Sequence, residues 1–122
     1  MSLFERENFE TFVARLPHCF LVRQWSDASV AKVGTPEASR IFALLSEWST
    51  ARPALSFKCS DMSFDMLPEL EGVRPAPYLA RAKWVQVLPG ADFDEDTLRA
   101  YITEAHRLVI LKLPKACRGS LE

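Results

Sequence analysis

The chain has 122 residues, 48% of them hydrophobic and 25% charged, with a formal net charge of −1. That length fits a single domain over residues 1–122 and can bury a core without metal or disulfide staples. The composition excludes a disordered chain, and the near-zero charge excludes binding that depends on a strongly basic overall surface.

No run approaches the ~20 apolar residues of a membrane helix. The opening Met1–Glu7 is too acidic and polar for a signal peptide. The three cysteines, Cys19, Cys59 and Cys117, are far apart and odd in number. They point away from a disulfide framework and toward a reducing cytoplasm.

Phe9, Phe12, Val13 and Leu16 repeat at helical spacing, and Pro17 ends that helix at or before Leu16. Ser2 with Glu5 is a candidate capping box for it. Phe20–Trp25, Val30–Val33, Ile41–Leu45 and Ala54–Cys59 then read as short strands, separated by Ser26-Asp27, Gly34-Thr35-Pro36 and 49–53. Leu55, Phe57 and Cys59 alternate with Ala54, Ser56 and Lys58, the pattern of a sheet with one buried and one more polar face. The short links leave no room for crossover helices, so the strands should pair antiparallel.

Ser60-Asp61 caps a short helix bearing Met62, Met66, Leu67 and Leu70, and Gly72 ends it. Arg74–Tyr78 must be extended, because two prolines restrict both themselves and the residues before them. Strand character returns at Lys83–Val87, and Pro89-Gly90 turns the chain. A final helix, capped by Asp92 or Asp94, carries Leu98, Tyr101, Ile102, Ala105, Leu108 and Val109, with Pro114 as its terminator. The expected fold is α+β: a two-layer sandwich whose antiparallel sheet of about five strands is covered on one face by the N- and C-terminal helices.

The order of these segments resembles a known family. Arg15-Leu16-Pro17, Val30–Gly34, Ile41–Leu45, Leu55–Cys59, Gly72–Leu79, Lys83-Trp84-Val85, Ala105–Val109 and Lys112–Lys115 succeed one another as in the MmcQ/YjbR family, from about residue 8 to 115. The resemblance implies a fold related to secretion-chaperone-like and frataxin-like sandwiches. It also implies a DNA-binding role of the kind described for a "double wing". Where relatives often carry a Gly-Gly-Lys turn, this chain has Ala38-Ser39-Arg40. The basic side chain is kept and the glycines are not.

For chemistry the residues offer binding rather than catalysis. No Gly-x-Ser-x-Gly elbow or glycine-rich phosphate loop is present, and no cysteine has a persuasive histidine partner, His18 and Cys19 being merely adjacent, so catalytic residues and cofactors are both expected to be none. The cysteines lack the short spacing of zinc ligands, and no metal site is expected. His106 lies beside Ile102 and Val109 on the last helix and reads as a packed histidine.

The cations suggest three surfaces. Arg74, Arg81 and Lys83 surround Tyr78 and Trp84, a mixture that can stack on bases and engage phosphate. The competing reading packs the aromatics and leaves the cations solvated. Lys58, joined by Arg40 and Lys32 if the strands register suitably, would make one face of the sheet a site for an anion or a nucleic-acid backbone. Arg107, Lys112, Lys115 and Arg118 form a basic C-terminal end, which helix-dipole compensation partly explains.

The expected function is a non-enzymatic nucleic-acid-binding module using Arg40, Lys58, Arg74, Arg81, Lys83 and Trp84. The alternative is a protein-interaction or chaperone-like adaptor, with a homodimer among its forms, in which an uncovered sheet face exposes Phe42, Leu44 or Trp84. A third reading places a small-molecule pocket near Pro75–Tyr78.

Overall fold

The computed structural model describes residues 2–25, 27–35, 37–47 and 53–113. Helix α1 (Arg6–Ala14) leads into strands β1 (Cys19–Gln24), β2 (Ala28–Thr35), β3 (Ala38–Ser46) and β4 (Ala54–Lys58). Helix α2 (Asp61–Met66) and a 3-10 turn (Leu67–Glu69) precede β5 (Val73–Pro75). A second 3-10 turn (Ala80–Ala82) precedes β6 (Trp84–Val87), and α3 (Glu95–Ile110) follows. The sheet has six strands in the order β1-β2-β3-β4-β6-β5, every neighbour antiparallel. The strand beyond the expected five is β5, only three residues long. It sits at an edge, where Pro75 costs no central ladder bond.

Register explains the layering. Leu21, Ala31, Ala43, Phe57 and Val85 form one cross-strand row, and Leu45, Leu55, Val87 and Val73 form another. Nearly all of these join Phe9 and Val13 of α1 and Leu98, Ile102, Ala105 and Val109 of α3 in the main core. The long helices therefore cover this inner face, as the apolar stripes require.

Local chemistry fixes the element ends. Asp94 caps α3 by accepting from the Thr97 amide at 2.8 Å, and Ser60 caps α2 by accepting from the Ser63 amide at 3.1 Å. The Ser2–Glu5 capping box does not form. Glu5 is the N-cap of α1 without a side-chain cap bond, and the Ser2 hydroxyl instead accepts from the Phe4 amide. Pro114, proposed as the terminator of α3, lies outside the described residues, as do Lys115, Cys117 and Arg118.

The outer face differs from expectation. Its cross-strand row runs Val22, Val30, Leu44, Ser56, Gln86, Arg74, grading from apolar to polar. Yet Val30, Leu44 and Gln86 are fully buried, and Ser56 nearly so. Ala76 and Leu79, on the irregular segment between β5 and β6, cluster with Val30, Leu44 and Trp84 on this side. The alternation of polarity along β4 reports side-chain type, and it cannot report a segment folded over from later in the chain. Phe42, Leu44 and Trp84 are thus buried rather than displayed on an open sheet face.

A β-bulge sets the end of the sheet. Ala31 pairs with Ala43, but Lys32 pairs with Ile41, so Phe42 is the extra residue on β3. Both Phe42 and Ala43 turn inward. Ile41 is thereby moved to the outer side, opposite Lys32, which is the re-aiming that bulges provide.

Candidate nucleic-acid interface

At this end of the sheet β2 leaves, β3 enters, β4 leaves and β6 enters. A recess of about 380 Å³ opens there. Four cations line it: Lys32, Arg40, Lys58 and Lys112. Ile41, Leu79 and Trp84 supply apolar wall, and among the described residues no carboxylate belongs to the lining. Among the described residues, none of the four cations is held in an ion pair.

Each cation arrives by a different structural route. Lys58 pairs across the ladder with Trp84, so both project on the outer face. Lys32 faces Ile41 through the bulge, while Arg40 pairs with Val33 and approaches from the inner side. Lys112 follows the last turn of α3, where its charge also offsets the negative end of the helix dipole.

Lys58 is the most constrained. Its ammonium donates to the Ala82 carbonyl, tying β4 to the turn before β6. Burial pushes its pKa below the usual lysine value, and the neighbouring Lys112 pushes the same way; Asp61 acts in the opposite sense from outside the recess. Two adjacent ammonium groups repel, an arrangement that folding alone does not favour and that an anion between them would relieve.

A larger concavity, about 550 Å³, lies against α1 and is lined by both signs of charge. There Arg23 pairs with Glu10 at 3.4 Å, and Arg6 reaches Asp27 at 3.0 Å. Its cations Arg6 and Arg23 are already paired, whereas among the described residues those of the smaller recess are not.

Of the six residues proposed from sequence, the recess brings together Arg40, Lys58 and Trp84. The other three are elsewhere. Arg74 donates from Nε to Gln86 Oε1 at 2.6 Å. Lys83 adopts a left-handed backbone and places its ammonium 4.9 Å from the centre of the Phe64 ring. Arg81 is exposed on the 3-10 turn and does not line the recess. The aromatics also divide: Trp84 is 5% exposed and forms wall, while Tyr78, adjacent in sequence to the wall residue Leu79, is 86% exposed.

Lys32 and Lys112 complete the site. Lys32 was legible as a partner for Lys58, but nothing along the chain announces that the end of α3 meets the end of the sheet. The basic C-terminal group splits, since Arg107 is taken by Glu104 at 2.7 Å.

His106 is buried. Its Nε2 lies 2.8 Å from the Pro17 carbonyl, an acceptor only, so Nε2–H donates; the ring meets Phe42 edge-on at 5.4 Å. Burial raises the Cys19 thiol to about 12 and the Cys59 thiol to about 11, far from reactive thiolates. Among the described residues no metal-holding group of His, Cys, Asp and Glu converges, and no helix is long and apolar enough to cross a membrane.

A six-stranded antiparallel sheet with helices on its inner face and a cationic recess at one end defines a small α+β domain. The chain belongs to the YjbR family, whose model matches residues 14–108. Its fold is similar to that of Deinococcus radiodurans protein DR2400, which carries the DUF419 domain. That match has a TM-score of 0.81 at 24% identity and covers 94% of this chain and 86% of the other. A Pseudomonas syringae protein aligns with a TM-score of 0.70 at 15% identity, covering 86% of this chain and 98% of that one. No curated protein matches the chain.

Proposed function

We propose that this YjbR-family chain is a cytoplasmic, non-enzymatic nucleic-acid-binding protein that holds phosphate in the recess at the end of its sheet. The observation that carries this reading is the convergence of Lys32, Arg40, Lys58 and Lys112 on a space that no carboxylate lines among the described residues. A chain of net charge −1 gains little from diffuse attraction, so contact with phosphate is local. With at most four phosphates neutralised, log K should fall against log salt with a slope no steeper than roughly −3.6 on duplex and −2.8 on single strands. Fluorescence anisotropy of labelled single- and double-stranded DNA across salt tests this. Saturable binding that Lys58→Glu abolishes is expected, and binding unchanged in that variant removes the assignment.

An adaptor role is favoured at a different place from the sheet face. On α2 and the turn after it, Met62, Met66 and Leu70 are 72%, 57% and 37% exposed. Asp61, Asp65 and Glu69 flank them, so an amphipathic, basic segment of a partner protein would match both the apolar and the charged chemistry. Titrating a Leu/Lys amphipathic peptide while following the methionine methyl signals tests it. Shifts confined to Met62 and Met66 support the reading, and unmoved signals end it.

A further inference from the structure

The four cations of the recess converge instead of lining up. They come from β2, β3, β4 and the end of α3, with the 79–82 turn and Trp84 filling the remaining sides. An internal phosphodiester carries one negative charge and continues as chain on both sides. It is best served by cations spaced along an open track. A phosphomonoester carries about −1.5 to −2 charges at neutral pH, presents three strong acceptor oxygens, and continues on one side only.

The recess suits the second species. Its volume of about 380 Å³ falls within the ~300–1,000 Å³ of small-ligand sites. The Lys58–Lys112 neighbourhood supplies two ammonium groups side by side, and Arg40 adds a planar fork able to bind two oxygens at once. Ile41, Leu79 and Trp84 give apolar surface on which the attached sugar and base can rest.

We infer that the recess takes a phosphomonoester, the terminal phosphate of a nucleic-acid strand, in preference to an internal phosphodiester. This rests on the nucleic-acid reading above. The same chemistry is offered by a free nucleoside monophosphate, and the experiment separates the two.

Binding is measured for four forms of one short DNA strand: 5′-phosphorylated, 3′-phosphorylated, hydroxyl at both ends, and circularised. Adenosine monophosphate is titrated separately by calorimetry. At least one phosphorylated end is expected to bind tenfold or more tighter than the hydroxyl-ended and circular strands. That advantage should shrink between pH 7.5 and pH 5.5 as the monoester takes up its second proton near pH ~6. Arg40→Met and Lys112→Ser, both at exposed positions, should erase the advantage while the thermal melt shows the fold intact.

Equal binding of all four strands would leave the nucleic-acid reading standing and overturn the terminal-phosphate inference. Binding of adenosine monophosphate with no strand bound would do the reverse, keeping a phosphomonoester site and removing the nucleic acid. No binding of any of them overturns both.

Discussion

The two faces of the sheet are built from the same six strands and do different work. The inner face is a continuous apolar layer, where Phe42, Leu55 and Phe57 of the strands and Phe9 and Ile102 of the covering helices α1 and α3 are all fully buried. The outer face grades across the strands from Val22 and Val30 to Gln86 and Arg74, and at one end of β2 and β4 it brings Lys32 and Lys58 to the cationic recess. Regular helices cover the first and an irregular segment covers part of the second. A helix can shield a whole apolar stripe, whereas a short turn leaves one end of the sheet open. The lesson is that the apolar core concentrates on the inner face and the unpaired charge of the candidate site collects where cover runs out.

The largest expected effect breaks the inner face. Phe42→Ala deletes the ring that the bulge turns inward against His106, and should cost about 3–5 kcal/mol in a urea titration. That is a large part of the ~5–15 kcal/mol of a typical domain. A cost below about 1 kcal/mol would show that the bulge does not anchor the core.

A middle-sized effect probes the polar half of the outer face. Gln86 is fully buried, its Oε1 held by Arg74 and its Nε2 without a partner. Arg74→Met strips the bond from Oε1 and should cost about 1–3 kcal/mol, because a buried acceptor is left unsatisfied. Adding Gln86→Met removes the stranded amide and should recover most of that loss. A double-mutant cycle reads the coupling, and simple additivity would show that the pair is not a unit.

A smaller stability effect sharpens the division of labour. Lys112→Ser removes a like charge beside Lys58 and should change stability by no more than about 0.5 kcal/mol, while DNA binding falls. The Lys58 pKa is depressed in the fold, so the unfolded chain binds more protons there between the two values. Stability in the wild type should therefore rise with pH across that alkaline window, and Lys112→Ser should flatten the rise. Thermal melts across the alkaline range read it; an unchanged slope would show that the two ammonium groups do not interact.

The smallest effect concerns the cover of the inner face. Hydrogen bonds from the Thr97 backbone N–H and hydroxyl hold Asp94 below its ordinary 3.8. A carboxylate so lowered contributes fully above its unfolded value and loses that contribution as pH falls through the folded one. Any difference in melting temperature between Asp94→Asn and the wild type should therefore shrink as pH drops below 3.8. A difference constant with pH would mean that the charge plays no part in the cap.

Much of the fold was legible because its determinants are local. Helical spacing of Phe9, Val13, Leu98 and Ile102, the prolines at 17 and 75, and the caps at Ser60 and Asp94 each act within a few residues. Short links between β-prone runs allow only antiparallel pairing, and the order of segments marked the family resemblance. The packing of His106 was legible for the same reason, since its neighbours on α3 are apolar.

What only the tertiary structure decided depends on contacts between distant parts of the chain. The bulge at Phe42 changes which face Ile41 occupies, and a one-residue change in register is invisible to a pattern that repeats every two residues. The burial of Val30 and Leu44 goes with Ala76 and Leu79, which fold back against strands formed earlier in the chain. The sequence marked Arg74, Arg81 and Lys83 as cations near Trp84, but side-chain direction sends Arg74 to Gln86 and Lys83 to Phe64. By itself it determined the elements, their order and the supply of charge. Which charges meet was decided by the end of α3 arriving beside the end of the sheet, because electrostatic convergence is set by distance in space and not by separation along the chain.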